Sequence, residues 1–307
     1  MPANPAELTL LREPGGSRKR LPSWVATTAL LVPTYGWLTL AVFLPLCAMF
    51  AFSFLTATPM GNAPIVFTLK QYRAFIDQPY LFGVAWNSLL MGFWTTFFCA
   101  ALGFFAALAL VRGTEGRVRT TLLILVLLPF WTNGLVRVFS WTMVLREGGV
   151  LDYALHLAAP WAPPLSLLYS FPAIIIGLVH AYLPYMILTC YLSVLSIEDA
   201  YIEAARSLGA RTPMIFWKII LPLSLPGLIS GAILIFVPVI GSFMEPRILG
   251  GRVGVTMGTV IEDQFVQAFN WPLGAALSFT MLAVVLIIFA ATSRLLSGLF
   301  GARAEPS

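Results

Sequence analysis

"EAARSLGARTPMIFWKIILP", residues 203–222, is a polar, small-residue bend set between two long apolar runs. Residues 153–197 precede it and 219–244 close over its end, and neither run holds an Asp, Glu, Lys or Arg. Working outward, residues 21–69, 78–111 and 264–293 are also free of charge, and 120–145 holds only Arg137. Of 307 residues, 59% are hydrophobic and 10% charged, with a mean hydropathy of +0.88. That leaves too little polar surface for a globule in water, so lipid must solvate the chain.

A charge at mid-bilayer costs at least ~2.5 kcal/mol, so charges bound the spans. A crossing needs ~20 apolar residues for ~30 Å of hydrocarbon, and each of the six windows can hold one. The expected spans are 28–54, 84–111, 121–145, 171–195, 219–244 and 272–293. Pro160, Pro163 and Pro164 leave an irregular segment ahead of the fourth. Long runs without strict alternation exclude a closed barrel. The expected fold is an all-α integral membrane protein with six transmembrane helices.

The organisation read from these windows is an N-terminal tail at 1–27, a first helix at 28–54, an outer segment at 55–83, a five-helix core at 84–293 holding a bend at 196–222, and a C-terminal tail at 294–307. Residues 68–77 and 256–269 read as short amphipathic helices. The apolar run after Arg18-Lys19-Arg20 exceeds the ~7–15 residues of a signal h-region and reads as a retained helix.

Lys and Arg set the orientation. With the N-terminus in the cytoplasm, Arg12, Arg18, Lys19, Arg20, Arg112, Arg117, Arg119, Arg206, Arg211, Lys218, Arg294 and Arg303 lie inside; Lys70, Arg73, Arg146, Arg247 and Arg252 lie outside. Both termini are therefore expected in the cytoplasm. The net charge of +5 is an orientation signal and a poor sign of nucleic-acid binding.

Several chemistries are disfavoured. Cys47, Cys99 and Cys190 fall inside expected helices, where they read as packing groups, without disulfide or metal spacing. His180, at mid-span without a second ligand, reads as a hydrogen-bonded packing histidine. His-Glu-x-x-His and Gly-x-Ser-x-Gly are absent, as is a pair of in-span carboxylates, which argues against an intramembrane enzyme. Lys19, Lys70 and Lys218 are the only lysines and none follows a Gly-x-x-x-x-Gly, so a P-loop is absent. Neither catalytic nor metal-binding residues are expected.

The bend itself predicts two short helices at an angle. Ser196 and Asp199 form a capping pattern, Gly209 suits a left-handed helix end, and Thr212-Pro213 suits a second start. Ile197, Tyr201, Ala204 and Leu208 fall on one stripe expected to dock, opposite Glu203, Arg206 and Ser207. Ala204, Ala205 and Gly209 would let another protein's backbone approach. In the third span, Phe130, Asn133, Arg137 and Trp141 share one helical face. Glu245 is expected to end the fifth helix, with Arg247 at hand to neutralise it. Pro129, Pro184, Pro226 and Pro238 permit bending.

The spacing Glu203-Ala204-Ala205, three residues, Gly209, nine residues, Ile219, one residue, Leu221-Pro222 resembles the EAA motif of permease subunits of bacterial ABC importers. The resemblance implies a type I importer fold in the inner membrane. It implies that Glu203, Ala204, Ala205, Arg206, Gly209, Ile219, Leu221 and Pro222 form a coupling element. It also implies a second permease chain, two ATP-binding subunits that use ATP and magnesium, and a periplasmic solute-binding protein. "FTLKQYRAF", "NSLL", "LLPFWTNGLVRVFSW", "LPLSLPG" and "NWPLGAALS" look like the spermidine/putrescine branch. In "GSFMEPRILGG", residues 241–251, Ser242 and Arg247 stand where that branch leads one to expect acids, while Glu245 adds one. A phosphonate or an amino-acid derivative thus stays open beside a polyamine or opine-like amine. Asn133, Arg137, Trp141, Ser242 and Glu245 are the candidate residues of a translocation path.

Overall fold

The computed structural model describes residues 23–58, 66–161 and 163–301. Of the expected terminal tails, 1–22 and 302–307 fall outside the described residues, whereas 23–27 belong to the first helix and 294–301 to the last. The chain divides into two units at Ala51 and Phe52. The first is carried by α1 (Ser23–Phe52), an apolar helix with Pro33 and Pro45 inside it. Cys47 on α1 is exposed rather than packed; an apolar helix in lipid needs no protein partner for a thiol.

The second unit follows in chain order as α2 (Lys70–Asp77), α3 (Pro79–Gly113), α4 (Gly116–Leu127), α5 (Gly134–Leu145), α6 (Val150–Ala158), α7 (Phe171–Leu195), α8 (Asp199–Ser207), α9 (Thr212–Ile215), α10 (Leu221–Ile240), α11 (Met244–Gly250), α12 (Met257–Val266) and α13 (Trp271–Gly301). Among the described residues, five helical stretches are long and apolar enough to cross a membrane. A sixth crossing requires counting a bent pair as one span. The only β pairing among the described residues is an isolated bridge between Leu55 and Phe67.

Three expectations need correction. The third window is broken: α4 gives way to a 3-10 turn at Leu128–Trp131, and the axis swings by 95° before α5. Pro129 lacks the amide that would continue α4, and the Asn133 side chain accepts from Leu135 N at 2.8 Å to start a new helix. The fifth span ends at Ile240 rather than 244, because Ser242 N turns back to Val239 O at 3.0 Å. The last helix runs on to Gly301, through residues expected to form a tail.

α3, α7 and α10 form the main core, where Met91, Cys99, Met186, Cys190 and Ile235 are fully buried. Lipid tails are as apolar as these side chains, so close van der Waals fit holds helices together here. Two glycines make the fit possible. A Cβ on Gly103 would stand 2.7 Å from Met186 Cγ, and one on Gly231 would stand 2.6 Å from Met186 Sδ. Met186 of α7 is thus clamped between α3 and α10. Elsewhere Ser88 Oγ of α3 accepts from Met257 N at 2.7 Å, fixing the capping-box start of α12.

Candidate functional site

The bend between α7 and α10 is a rigid elbow with two unlike faces. Ser196 ends α7, its hydroxyl donating to Ser193 O at 2.8 Å, so it does not cap the next helix. Glu198 is the N-cap of α8, without a side-chain hydrogen bond. Arg112, at the end of α3, fastens this start by an ion pair with Asp199 and by donating to Ile197 O at 3.1 Å. Below, Ile197, Ile202, Ile215 and Ile220 are buried in the main core, and Ala205 packs against it.

The docking stripe therefore differs from the expected one: Ile202 and Ala205 face inward, while Tyr201, Ala204 and Leu208 are exposed. Ile197 precedes the cap, so helical spacing counted from it selects the wrong side. Gly209 lies at φ +80°. Its N–H donates to Arg206 O at 2.9 Å and Ala210 N–H donates to Ala205 O at 3.0 Å, a complete Schellman closure. The second start caps at Arg211, one residue before Thr212.

A π turn at Phe216–Ile220 then leads into α10, with Leu221 N–H reaching back to Phe216 O. Pro222 cannot bond the Lys218 carbonyl and its ring presses on it, and widening the turn relieves that clash. Phe216 lies parallel to Phe105, with ring centroids 6.1 Å apart.

On the outer side of the elbow, Glu203, Ala204, Arg206, Gly209 and Pro222 are exposed, and Leu221 is half-buried. Ala205, Leu208, Gly209, Met214 and Ile219 line a groove of about 440 Å³. Sequence reasoning missed the parts played by Arg112, Ile202 and Phe216, and it assigned Asp199 to a cap with Ser196 rather than to the pair with Arg112. Arg112 bounds the 78–111 window, and that was the one signal available for it.

A second polar group gathers where α5, α7 and α11 meet. Arg137 and Trp141 remain one turn apart on α5, and Trp141 Nε1 donates to His180 Nδ1 of α7 at 3.2 Å. With Thr132 and Ser140 they line a groove of about 280 Å³. Arg137 Nε is buried without a hydrogen-bond partner. Phe130 leaves the expected face at the break and meets the edge of Tyr185 at 4.4 Å. The carboxamide oxygen of Asn133 is engaged as the α5 cap.

Glu245 sits in the first turn of α11 rather than at the end of the fifth span. It is buried and accepts from Ser242 Oγ at 2.5 Å. Arg247 does not neutralise it. The guanidinium turns instead to α12, pairing with Glu262 and, at 2.5 Å, with Asp263. The hydrogen bond to Asp263 raises Arg247 further above its already basic range. Among the described residues, no group of three His, Cys, Asp or Glu could hold a metal ion.

Apolar helices of crossing length, packed by glycine contacts and joined through an outward-facing elbow, define a helical integral membrane protein. The chain belongs to the family described as the binding-protein-dependent transport system inner membrane component, matched over residues 100–304. It is 36% identical over 270 residues to the spermidine/putrescine transport system permease protein PotB of Salmonella typhimurium strain SL1344, covering 87% of this chain and 93% of that protein. Against PotB of Escherichia coli K12 it is 36% identical over 271 residues, covering 87% of this chain and 98% of that protein. In fold it is similar to a bacterial ABC transporter involved in the import of the acidic polysaccharide alginate, with a TM-score of 0.73 at 16% identity over 92% of this chain and 96% of that one. The chain is a multi-pass inner-membrane permease subunit of an ABC importer.

Proposed function

We propose that this permease moves a small amine-bearing solute, a polyamine or a related opine-like compound, and that its elbow couples the movement to ATP hydrolysis on other chains. The observation that carries the coupling is the two-faced elbow. Its inner side is pinned by Arg112 and Ile202, and its outer side presents Glu203, Ala204, Arg206 and the groove at Gly209 to a partner.

In this reading the elbow and both termini are cytoplasmic, and two ATP-binding subunits use ATP and magnesium. A second permease chain completes the pore and a periplasmic protein delivers the solute. The chain itself performs no bond chemistry, consistent with its lack of a Gly-x-x-x-x-Gly-Lys loop. Coupling requires that the elbow make different contacts in two states of the motor. The polyamine reading draws on the names of the two relatives.

The test is reconstitution in proteoliposomes with the ATPase subunits, the partner permease and the binding protein. Glu203→Lys should leave the permease folded and abolish most of the ATPase activity stimulated by loaded binding protein, or release the ATPase subunits. Unchanged stimulation and retained ATPase subunits would overturn the coupling role given to the outer face of the elbow. Uptake of labelled spermidine and putrescine tests the solute.

A further inference from the structure

We infer that Glu245 is the group that receives an ammonium of the transported solute, an inference that rests on the importer reading above. Glu245 is only 9% exposed, and among the described residues its one hydrogen-bond partner is the Ser242 hydroxyl at 2.5 Å. A carboxylate offers about four acceptor positions, so one hydroxyl leaves most of them unmet. Burying such a charge without a cation is costly.

The resident cations are directed elsewhere. Arg247, one turn edge away on the same helix, is held on α12 by Glu262 and Asp263 and by Thr259 O at 3.4 Å. Arg137 makes no ion pair among the described residues, and its Nε is buried without a hydrogen-bond partner on the α5 face that carries Trp141. In a protein whose task is transport, the missing counter-charge is one that arrives and leaves.

The surroundings select its chemistry. A bare metal ion would find too few ligands, as no cluster of three donors exists among the described residues. An ammonium suits the site: it is compact and donates up to three hydrogen bonds, which a carboxylate and neighbouring hydroxyls can accept.

Reconstituted complexes carrying wild-type, Glu245→Gln or Glu245→Asp permease would be compared for uptake of labelled spermidine and putrescine, with ATP hydrolysis followed in parallel. Glu245→Gln should lower uptake efficiency by about tenfold or more, the size of one lost charge-assisted hydrogen bond, while the complex assembles and its stimulated ATPase activity persists. Glu245→Asp should recover part of the uptake. Wild-type uptake by Glu245→Gln would overturn the inference, since glutamine is the isostere of a protonated, purely structural glutamate. If neither amine enters even with wild-type permease, the amine reading itself fails and this inference with it. As a check that needs no variant, spermidine should protect Glu245 of the wild-type complex from a membrane-permeant carbodiimide; equal labelling with and without spermidine would also overturn it.

Discussion

α7 is held against α3 and α10 in one way, and α8 is held against the same bundle in quite another. The α7 contact is steric and closed on every side: Met186 is fully buried between Gly103 and Gly231. The α8 contact is one-sided. Arg112 and Ile202 fasten the inner face, and the outer face, from Glu203 to Gly209, is left largely open. The difference teaches where force can pass. A closed, close-packed contact resists deformation and defines the fold. A short helix fastened beneath and open above can be pushed by a partner and pass that displacement into α3 and α10 as a rigid body.

The strongest way to break the comparison is to crowd the closed contact. Gly231→Leu would drive a side chain into Met186 and Thr189 of α7. Overpacking of this kind costs ~1–3 kcal/mol, and a glycine at a helix crossing belongs at the upper end. The thermal unfolding midpoint of the detergent-solubilised permease should fall clearly, and yield should fall with it. A wild-type midpoint would mean that α7 and α10 separate easily, and the contrast with the elbow would disappear.

Loosening the fastening of the elbow should have a smaller effect. Arg112→Gln removes the pair with Asp199, whose side chain is 77% exposed against 25% for Arg112. Solvent screens such a pair, so the expected loss of stability is ~1 kcal/mol or less and shrinks in high salt. The informative readout is functional: ATPase activity stimulated by the binding protein should fall more than stability does, because α8 would remain folded but lag behind α3. Equal losses in both would make Arg112 a general stabiliser rather than a mechanical tie.

Most of the architecture was legible because charges and lipid set it. Four expected spans lie within or close to the helices at α1, α3, α7 and α13, and α7 matches residue for residue. The break in the third window was harder to see. Pro129 was visible as a point of bending, but the 95° turn depends on Asn133 spending its side chain as a cap, a choice that composition does not reveal. The left-handed glycine at 209 was readable from its position after Leu208, as only a residue without a Cβ is at ease there. The inward face of α8 was not, because it depends on whether Ser196 closes α7 or opens α8. The same limit applied to Glu245 and Arg247: adjacency in sequence suggested a pair, whereas α12 supplied Arg247 with two carboxylates from far along the chain.

The finest test of the comparison is a substitution expected to do almost nothing to the fold. Leu208 is 89% exposed at the end of α8 and borders the groove beside Gly209 and Met214. Leu208→Ser should leave the unfolding midpoint unchanged within the equivalent of about 0.5 kcal/mol, as for an ordinary surface position. If an ATPase subunit closes over the elbow, however, the leucine leaves water on docking, and burying it fully is worth ~1.5–3 kcal/mol. Retention of the ATPase subunits during purification should then weaken by about tenfold or more. A loss of stability without a loss of retention would assign Leu208 to the packed interior of the permease. The outward face of α8 would then begin elsewhere, and the elbow would have one face rather than two.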